Sequence, residues 1–249
     1  MSPIIRINRF LASAGLGSRR KCEDLVNGGK VFINGNLLTD LSTTVNTESD
    51  VVTIDGKRIE ISEHKIILVL NKPRGILSAA VDDRDRKTVI DLARDKGFTE
   101  RLFPVGRLDM DTSGIILLTN DGDLSYRLTH PKYKIDKTYI VTIDGKISTS
   151  TLRAIRSGVR LEDFTTAPCK VLILKEDERR TTLEIIIHEG KKRQIRRTFR
   201  KFGHRIIDLH RAALGNLFFE DLAPGEIRML TNEENRILRE KSGLLKRSF

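Results

Sequence analysis

The sequence predicts an α+β chain in two parts: a small helix-and-hairpin domain over residues 1–62, then a mixed β-sheet domain over residues 63–249. Strand-like and helix-like segments alternate irregularly beyond residue 65, without the repeated βαβ period of a doubly wound sheet. Before that point only two short helices and a small hairpin can be drawn. The 249 residues, 39% of them hydrophobic, suffice for one large core and one small one.

In the first part, Ile7, Phe10, Leu11 and Ala14 recur at helical spacing, and Gly15 with Gly17 stops that helix. Ser18 is placed as the N-cap of a second helix, which carries Cys22, Leu25 and Val26 on one face and ends at Gly28-Gly29. Val31 to Ile33 reads as a strand. The turn Asn34-Gly35 follows it, and both residues tolerate the positive φ of a tight hairpin. Arg6, Arg9, Arg19, Arg20, Lys21 and Lys30 cluster around the helix-to-helix turn, with acidic residues scarce until Glu23 and Asp24.

In the second part, strands are predicted over Ile66 to Leu70, Ile115 to Thr119, Thr138 to Ile143, Val171 to Leu174 and Thr182 to Ile187. Helices are predicted over Thr88 to Arg94, Asp123 to Thr129, Thr149 to Arg156 and Lys191 to Phe202. The last has an apolar stripe of Ile195, Phe199 and Phe202, while Lys191, Lys192, Arg193, Arg196, Arg197, Arg200 and Lys201 cover the rest. No acidic residue lies between Glu189 and Asp208. A solvated helix usually interleaves both signs, so this face is suited to phosphate contact.

The run Gly106-Arg107-Leu108-Asp109-Met110-Asp111-Thr112-Ser113-Gly114 strands a carboxylate between two glycines in a basic protein. Asp109 is thereby placed on a loop entering a buried strand, where the scaffold is rigid and backbone can approach a ligand closely. The turn Asn120-Asp121-Gly122 closes the strand.

With 45 Lys and Arg against 34 Asp and Glu, the net charge is +11 and the pI about 9.8. Such a balance calls for a polyanionic partner, nucleic acid ahead of an acidic membrane surface. The longest apolar runs, such as Ile66 to Leu70, fall far short of the ~18 residues a membrane helix needs. The N-terminus lacks a signal peptide's apolar stretch, and Cys22 and Cys169 form no metal-type spacing, so a reducing cytoplasm is expected.

Other chemistries are less well supported. Asp109 and Asp111 are expected to point to opposite sides of an extended loop, against the shared site of a paired-carboxylate glycosidase. The five histidines show no metal-ligand spacing, and His130 before Pro131 reads as a helix terminator. No Walker loop, nucleophile elbow or dinucleotide glycine pattern is present. Asp82 to Lys87 reads as a solvated loop.

The segment from Arg6-Ile7-Asn8-Arg9-Phe10-Leu11 through Gly17-Ser18-Arg19-Arg20-Lys21 to Gly29-Lys30-Val31-Phe32-Ile33-Asn34-Gly35 resembles a small RNA-binding module first defined in a ribosomal small-subunit protein. Asn8 stands where that family usually has Asp, and Cys22 where it often has Ala. The resemblance implies that the paired helices grip structured RNA and that Thr43 to Ile61 supplies the module's remaining strands and a link.

Four later stretches together resemble the pseudouridine synthases, in the branch that modifies ribosomal RNA and carries this module. They are Asn71-Lys72-Pro73-Arg74-Gly75, Gly106 to Gly122, His130-Pro131 through Asp136-Lys137-Thr138-Tyr139, and His188-Glu189-Gly190-Lys191-Lys192-Arg193-Gln194-Ile195-Arg196-Arg197. The resemblance implies a mixed sheet with helices against it and an RNA cleft across one side. The implied reaction uses no cofactor: the base-to-ribose bond of a uridine is broken, the base is rotated, and the ribose carbon is rejoined to carbon five.

Asp109 matches the family's catalytic Asp. Attack on the ribose, attack on the base, or removal of a ribose proton would each need an ionised carboxylate. A buried carboxylate keeps its charge only beside a cation, and Arg196 matches the arginine that pairs with it. Tyr139 matches the active-site tyrosine, whose ring stacks on uracil and whose phenol can assist in removing the carbon-five proton. Lys72 and Arg107 join Arg6, Arg9, Arg19, Arg20, Lys21, Lys30, Lys191, Lys192, Arg193 and Arg197 as expected RNA contacts, none of them catalytic. The expected partner is ribosomal RNA or a ribosome-assembly particle, bound by a monomer with no metal and no small-molecule cofactor. Large-subunit RNA is favoured through Lys134 to Tyr139 and His188 to Arg197. The alternatives are a small-subunit or transfer RNA synthase and a non-catalytic assembly factor.

Overall fold

Ser18 caps the second helix as its position demands, its hydroxyl accepting from the Lys21 amide at 3.2 Å. In the computed structural model, which describes residues 3–61, 64–219 and 221–245, the chain divides into two units, Met1–Lys65 and Ile66–Phe249. The first runs β1 (Ile4–Arg6), α1 (Ile7–Ser13), α2 (Arg19–Asn27), β2 (Val31–Ile33), β3 (Asn36–Leu37), β4 (Thr44–Asn46), β5 (Val52–Ile54) and β6 (Lys57–Arg58). Strands pair in the order β3-β2-β5-β6, with β1 on β4. Ile7, Phe10 and Leu11 of α1 meet Cys22 and Val26 of α2 and Val31, Val45 and Val52 of the strands in one core. Asn34 and Gly35 take the positive φ expected of them, 52° and 83°.

The second unit runs β7 (Ile67–Lys72), α3 (Val89–Asp95), β8 (Phe103–Pro104), β9 (Ser113–Thr119), α4 (Gly122–Thr129), a 3-10 turn (Pro131–Tyr133), β10 (Lys137–Asp144), α5 (Thr149–Ser157), β11 (Lys170–Glu176), β12 (Arg180–Ile187), α6 (Gln194–Lys201), β13 (Ile206–Leu214), β14 (Leu217–Phe218), β15 (Ile227–Met229) and α7 (Asn232–Lys241). The sheet order is β11-β12-β10-β13-β9-β7-β15, with β14 on β13 and β8 on β9. Among the described strands of this sheet, only the β13–β9 pairing is parallel. The sheet is therefore mixed.

Side chains that alternate along each strand feed two cores. Leu68 and Leu70 of β7 pack with residues of α3, α5 and α6. Ile67 and Val69 pack on the other side with Leu124 and Leu128 of α4 and Leu238 of α7. Helices thus cover both faces.

Two strong elements were not predicted. β13 pairs with both β10 and β9, yet Asp208, His210 and Arg211 break its apolar run. α7 buries only Leu238 but carries a complete capping box between Thr231 and Glu234, a signal legible in the sequence. The helix predicted from Lys191 starts at Gln194, because Arg193 precedes it in the left-handed region at φ 49°, ψ 31°. Residues 188–193 are instead a loop, of which Gly190 to Arg193 line the cleft described below.

Candidate active site

The loop before β9 is shaped from both ends. Gly106 turns at φ 74°. Gly114, at φ 111°, lies against β13 so closely that a Cβ would fall 2.5 Å from the Arg211 nitrogen. Only glycine permits this approach, which anchors the loop's far end in the parallel pairing Arg211↔Gly114. Between these points the Ser78 hydroxyl donates to the Leu108 carbonyl at 2.9 Å and accepts from the Leu108 amide at 3.1 Å. Thr112 closes a turn by donating its amide to the Asp109 carbonyl at 3.0 Å.

Asp109 is thereby held at a cleft of about 610 Å³ that is also lined by Arg107, Tyr139, Lys191, Lys192, Arg193 and Arg196. Its side chain is 35% exposed, and Arg193 Nη1 lies 3.9 Å from its Oδ2. Tyr139, on β10, is 8% exposed. It lines the cleft between Ile187 and Leu209 from the neighbouring strands. A core tyrosine thus also faces the site. Among the described residues no group of histidine, cysteine and carboxylate side chains is arranged to hold a metal.

Arg196 is not paired as expected. Its Nε lies 3.3 Å from Asp111 Oδ2, and its Nη2 donates to the Asp111 carbonyl at 2.9 Å and the Thr112 hydroxyl at 3.2 Å. The turn at Asp109–Thr112 swings Asp111 back over α6, so Arg196 grips the loop two residues beyond Asp109. Burial pulls the Arg196 pKa below its usual value, with Arg193 and Arg74 adding to the pull, while Asp111 and Asp109 oppose it.

Asp109 and Asp111 do not diverge either. Arg193 approaches both, at 3.9 Å and 3.4 Å. Residues two apart share a side in extended backbone, and the turn keeps both carboxylates toward α6.

Lys72 is also corrected. It is the last residue of a wholly buried strand, is 0% exposed, and donates from Nζ to the carbonyls of Pro73 and Ile76 at 2.8 and 2.9 Å. A phosphate cannot reach it. Burial lowers its pKa to about 8, against the pull of Asp111 and Asp109.

Arg197 faces away from this cleft into a hollow lined by Arg160 and Arg200, where Asp163 takes up its guanidinium, with Nη1 to Oδ2 at 3.2 Å. In the first unit Arg6, Arg19, Arg20, Lys21 and Lys30 are exposed and Arg9 is half-buried.

Sequence reasoning missed several residues of the site. Asp111 anchors the two arginines. Glu189 accepts from Gln194 Nε2 at 2.6 Å and from the Ala167 amide at 2.7 Å, fastening the basic loop at the start of α6. Asp82 and Arg86, read as part of a solvated loop, also line the cleft and pair with each other at 2.7 Å. The charge pattern around Asp109 was a signal for Asp111; nothing local marks Glu189.

Residues 66–201 match the RNA pseudouridylate synthase family, and residues 5–52 match the S4 domain. The chain is 43% identical over 236 residues to ribosomal large subunit pseudouridine synthase B of Bacillus subtilis, covering 94% of this chain and 95% of that protein. It is 41% identical over 231 residues to an uncharacterized RNA pseudouridine synthase of Aquifex aeolicus, covering 92% of each. A crystal structure of a pseudouridylate synthase superposes with a TM-score of 0.66 at 30% identity, over 94% of this chain and 99% of that one. Together with the carboxylate-bearing loop and its basic cleft, these likenesses identify the chain as a member of the RNA pseudouridylate synthase family that carries an N-terminal S4 domain.

Proposed function

We propose that this pseudouridine synthase isomerises a uridine of large-subunit ribosomal RNA, with Asp109 as its catalytic carboxylate. The observation that carries the reading is Asp109 itself, half-buried in a cleft with the Tyr139 ring and six cationic side chains. The likeness to the Bacillus large-subunit enzyme, spread over nearly the whole chain, supports the choice of RNA.

The target base must leave its stack to reach Asp109, and a cleft of this size accommodates one extruded nucleotide. Arg107, Lys191, Lys192 and Arg193 neutralise the phosphates around it, while the exposed cations of the S4 unit hold neighbouring RNA. The bond from ribose carbon to base nitrogen breaks, the base turns against the Tyr139 ring, and the ribose carbon bonds to carbon five. Carbon five loses its proton and the freed nitrogen gains one, so the product is an isomer. Arg196 positions the Asp109 loop through Asp111 and Thr112.

The protein acts as a monomer in the cytoplasm under this reading; no described helix is long and apolar enough to cross a membrane. Tritium release from large-subunit transcripts labelled at uracil carbon five tests it. Release by wild type and none by Asp109→Asn is expected. Release from small-subunit transcripts alone would reassign the substrate, and turnover by Asp109→Asn would remove Asp109 from the chemistry.

A further inference from the structure

The chain has three tyrosines and no tryptophan. One tyrosine is Tyr139; the other two, Tyr126 and Tyr133, meet at the end of α4 together with His130. The rings of Tyr126 and His130 are centred 4.9 Å apart, and Tyr133 stands edge-on to Tyr126 at 5.9 Å. Tyr133 packs on the apolar core. Tyr126 does not share that role, being 49% exposed.

The cluster adjoins the site. Tyr126, Thr129 and His130 lie on one side of the helix end by their three- and four-residue spacing, and Thr129 lines the cleft that holds Asp109. The Thr129 methyl lies within 3.4 Å of where a Cβ on Gly106 would fall, so the helix end borders the loop's first turn. Cations stand against Tyr133: Arg127 and Lys132 sit 5.3 and 5.4 Å from its centroid, and the neighbouring Lys134 is exposed. His130 Nδ1 accepts from the Lys132 amide at 3.2 Å, which in the neutral ring leaves the proton on Nε2. An exposed aromatic face, one helical turn from a residue that lines a nucleotide-sized cleft, has the chemistry of a base-stacking platform.

We infer that Tyr126, steadied by His130 and Tyr133, stacks on an unpaired nucleobase flanking the target uridine, and that Lys132 and Lys134 meet its phosphates. The inference rests on the reading of the cleft as the uridine site.

The test uses Tyr126 variants of the full chain with a large-subunit ribosomal RNA transcript tritiated at uracil carbon five. Tyr126→Ala should raise KM about ten-fold, a stacking-sized loss, with kcat within about two-fold. Tyr126→Phe should match wild type, since the ring face is retained. Tyr126→Trp supplies the protein's only tryptophan, whose emission should be quenched as the transcript binds. An unchanged KM in Tyr126→Ala, an equal loss in Tyr126→Phe, or unquenched emission at saturating RNA overturns the inference. If wild type releases no tritium, the proposed substrate fails, while the tryptophan emission still decides whether Tyr126 stacks.

Discussion

Arg196 and Asp111 are joined twice: Arg196 Nε lies 3.3 Å from the Asp111 carboxylate and Nη2 donates to the Asp111 carbonyl at 2.9 Å, while the same nitrogen also reaches Thr112 Oγ1 at 3.2 Å. One guanidinium thus holds backbone and side chain of the turn that presents Asp109. Arg196→Met should lower kcat about 100-fold or more, and Arg196→Lys should restore little, because an ammonium lacks the planar fork. Single-turnover tritium release measures both; near-wild-type rates for Arg196→Lys would show that charge alone suffices.

Asp109→Asn keeps the shape of the loop and removes the charge. Turnover should fall by about 10³-fold or more, while RNA affinity, read by filter binding, should stay within about three-fold of wild type because most of it comes from phosphate contacts.

Gly114→Ala should destabilise the catalytic unit by about 3 kcal/mol or more, combining a clash with the Arg211 backbone and a positive φ. Urea unfolding checks this. Gly122→Ala, where an added methyl group would meet nothing within 4 Å, serves as the comparison and should unfold near wild type.

Lys72 gives a pH signature. Its folded pKa, about 8, lies below the usual 10.5, so between these values the unfolded chain binds the extra proton and stability rises with pH. Burying the charged form disfavours folding below about pH 8. From pH 7.5 to 9.5 the wild type should therefore gain about 2 kcal/mol relative to Lys72→Met. Lys137, also held near 8 by burial and by Arg211, is common to both proteins and cancels. Urea melts at the two pH values measure the difference; an equal response would place the titration elsewhere.

Deleting residues 1–65 should leave 66–249 folded, since that unit has its own cores. RNA affinity should fall, and the salt dependence of binding should flatten because fewer counterions are released. A truncated protein with the full salt slope would remove the S4 cations from the interface.

The sequence by itself determined the elements whose stability is local. The hairpin at Asn34-Gly35, the Ser18 cap, and the apolar runs of β7, β9, β10 and β12 were legible because turn chemistry and strand alternation depend on neighbouring residues. The loop that carries Asp109, bounded by Gly106 and Gly114, was legible for the same reason. Tertiary structure alone decided where charges end up. Arg211, with 2% exposure, lies in the central strand because its Nε can donate to the Ile115 carbonyl of the adjacent strand at 2.6 Å, a partner far along the chain. Lys72 is buried because a turn brings two carbonyls to its ammonium, and Arg196 pairs with Asp111 because a turn and a distant helix converge. Partners distant in sequence are set by the packing of the sheet, and no local pattern encodes them.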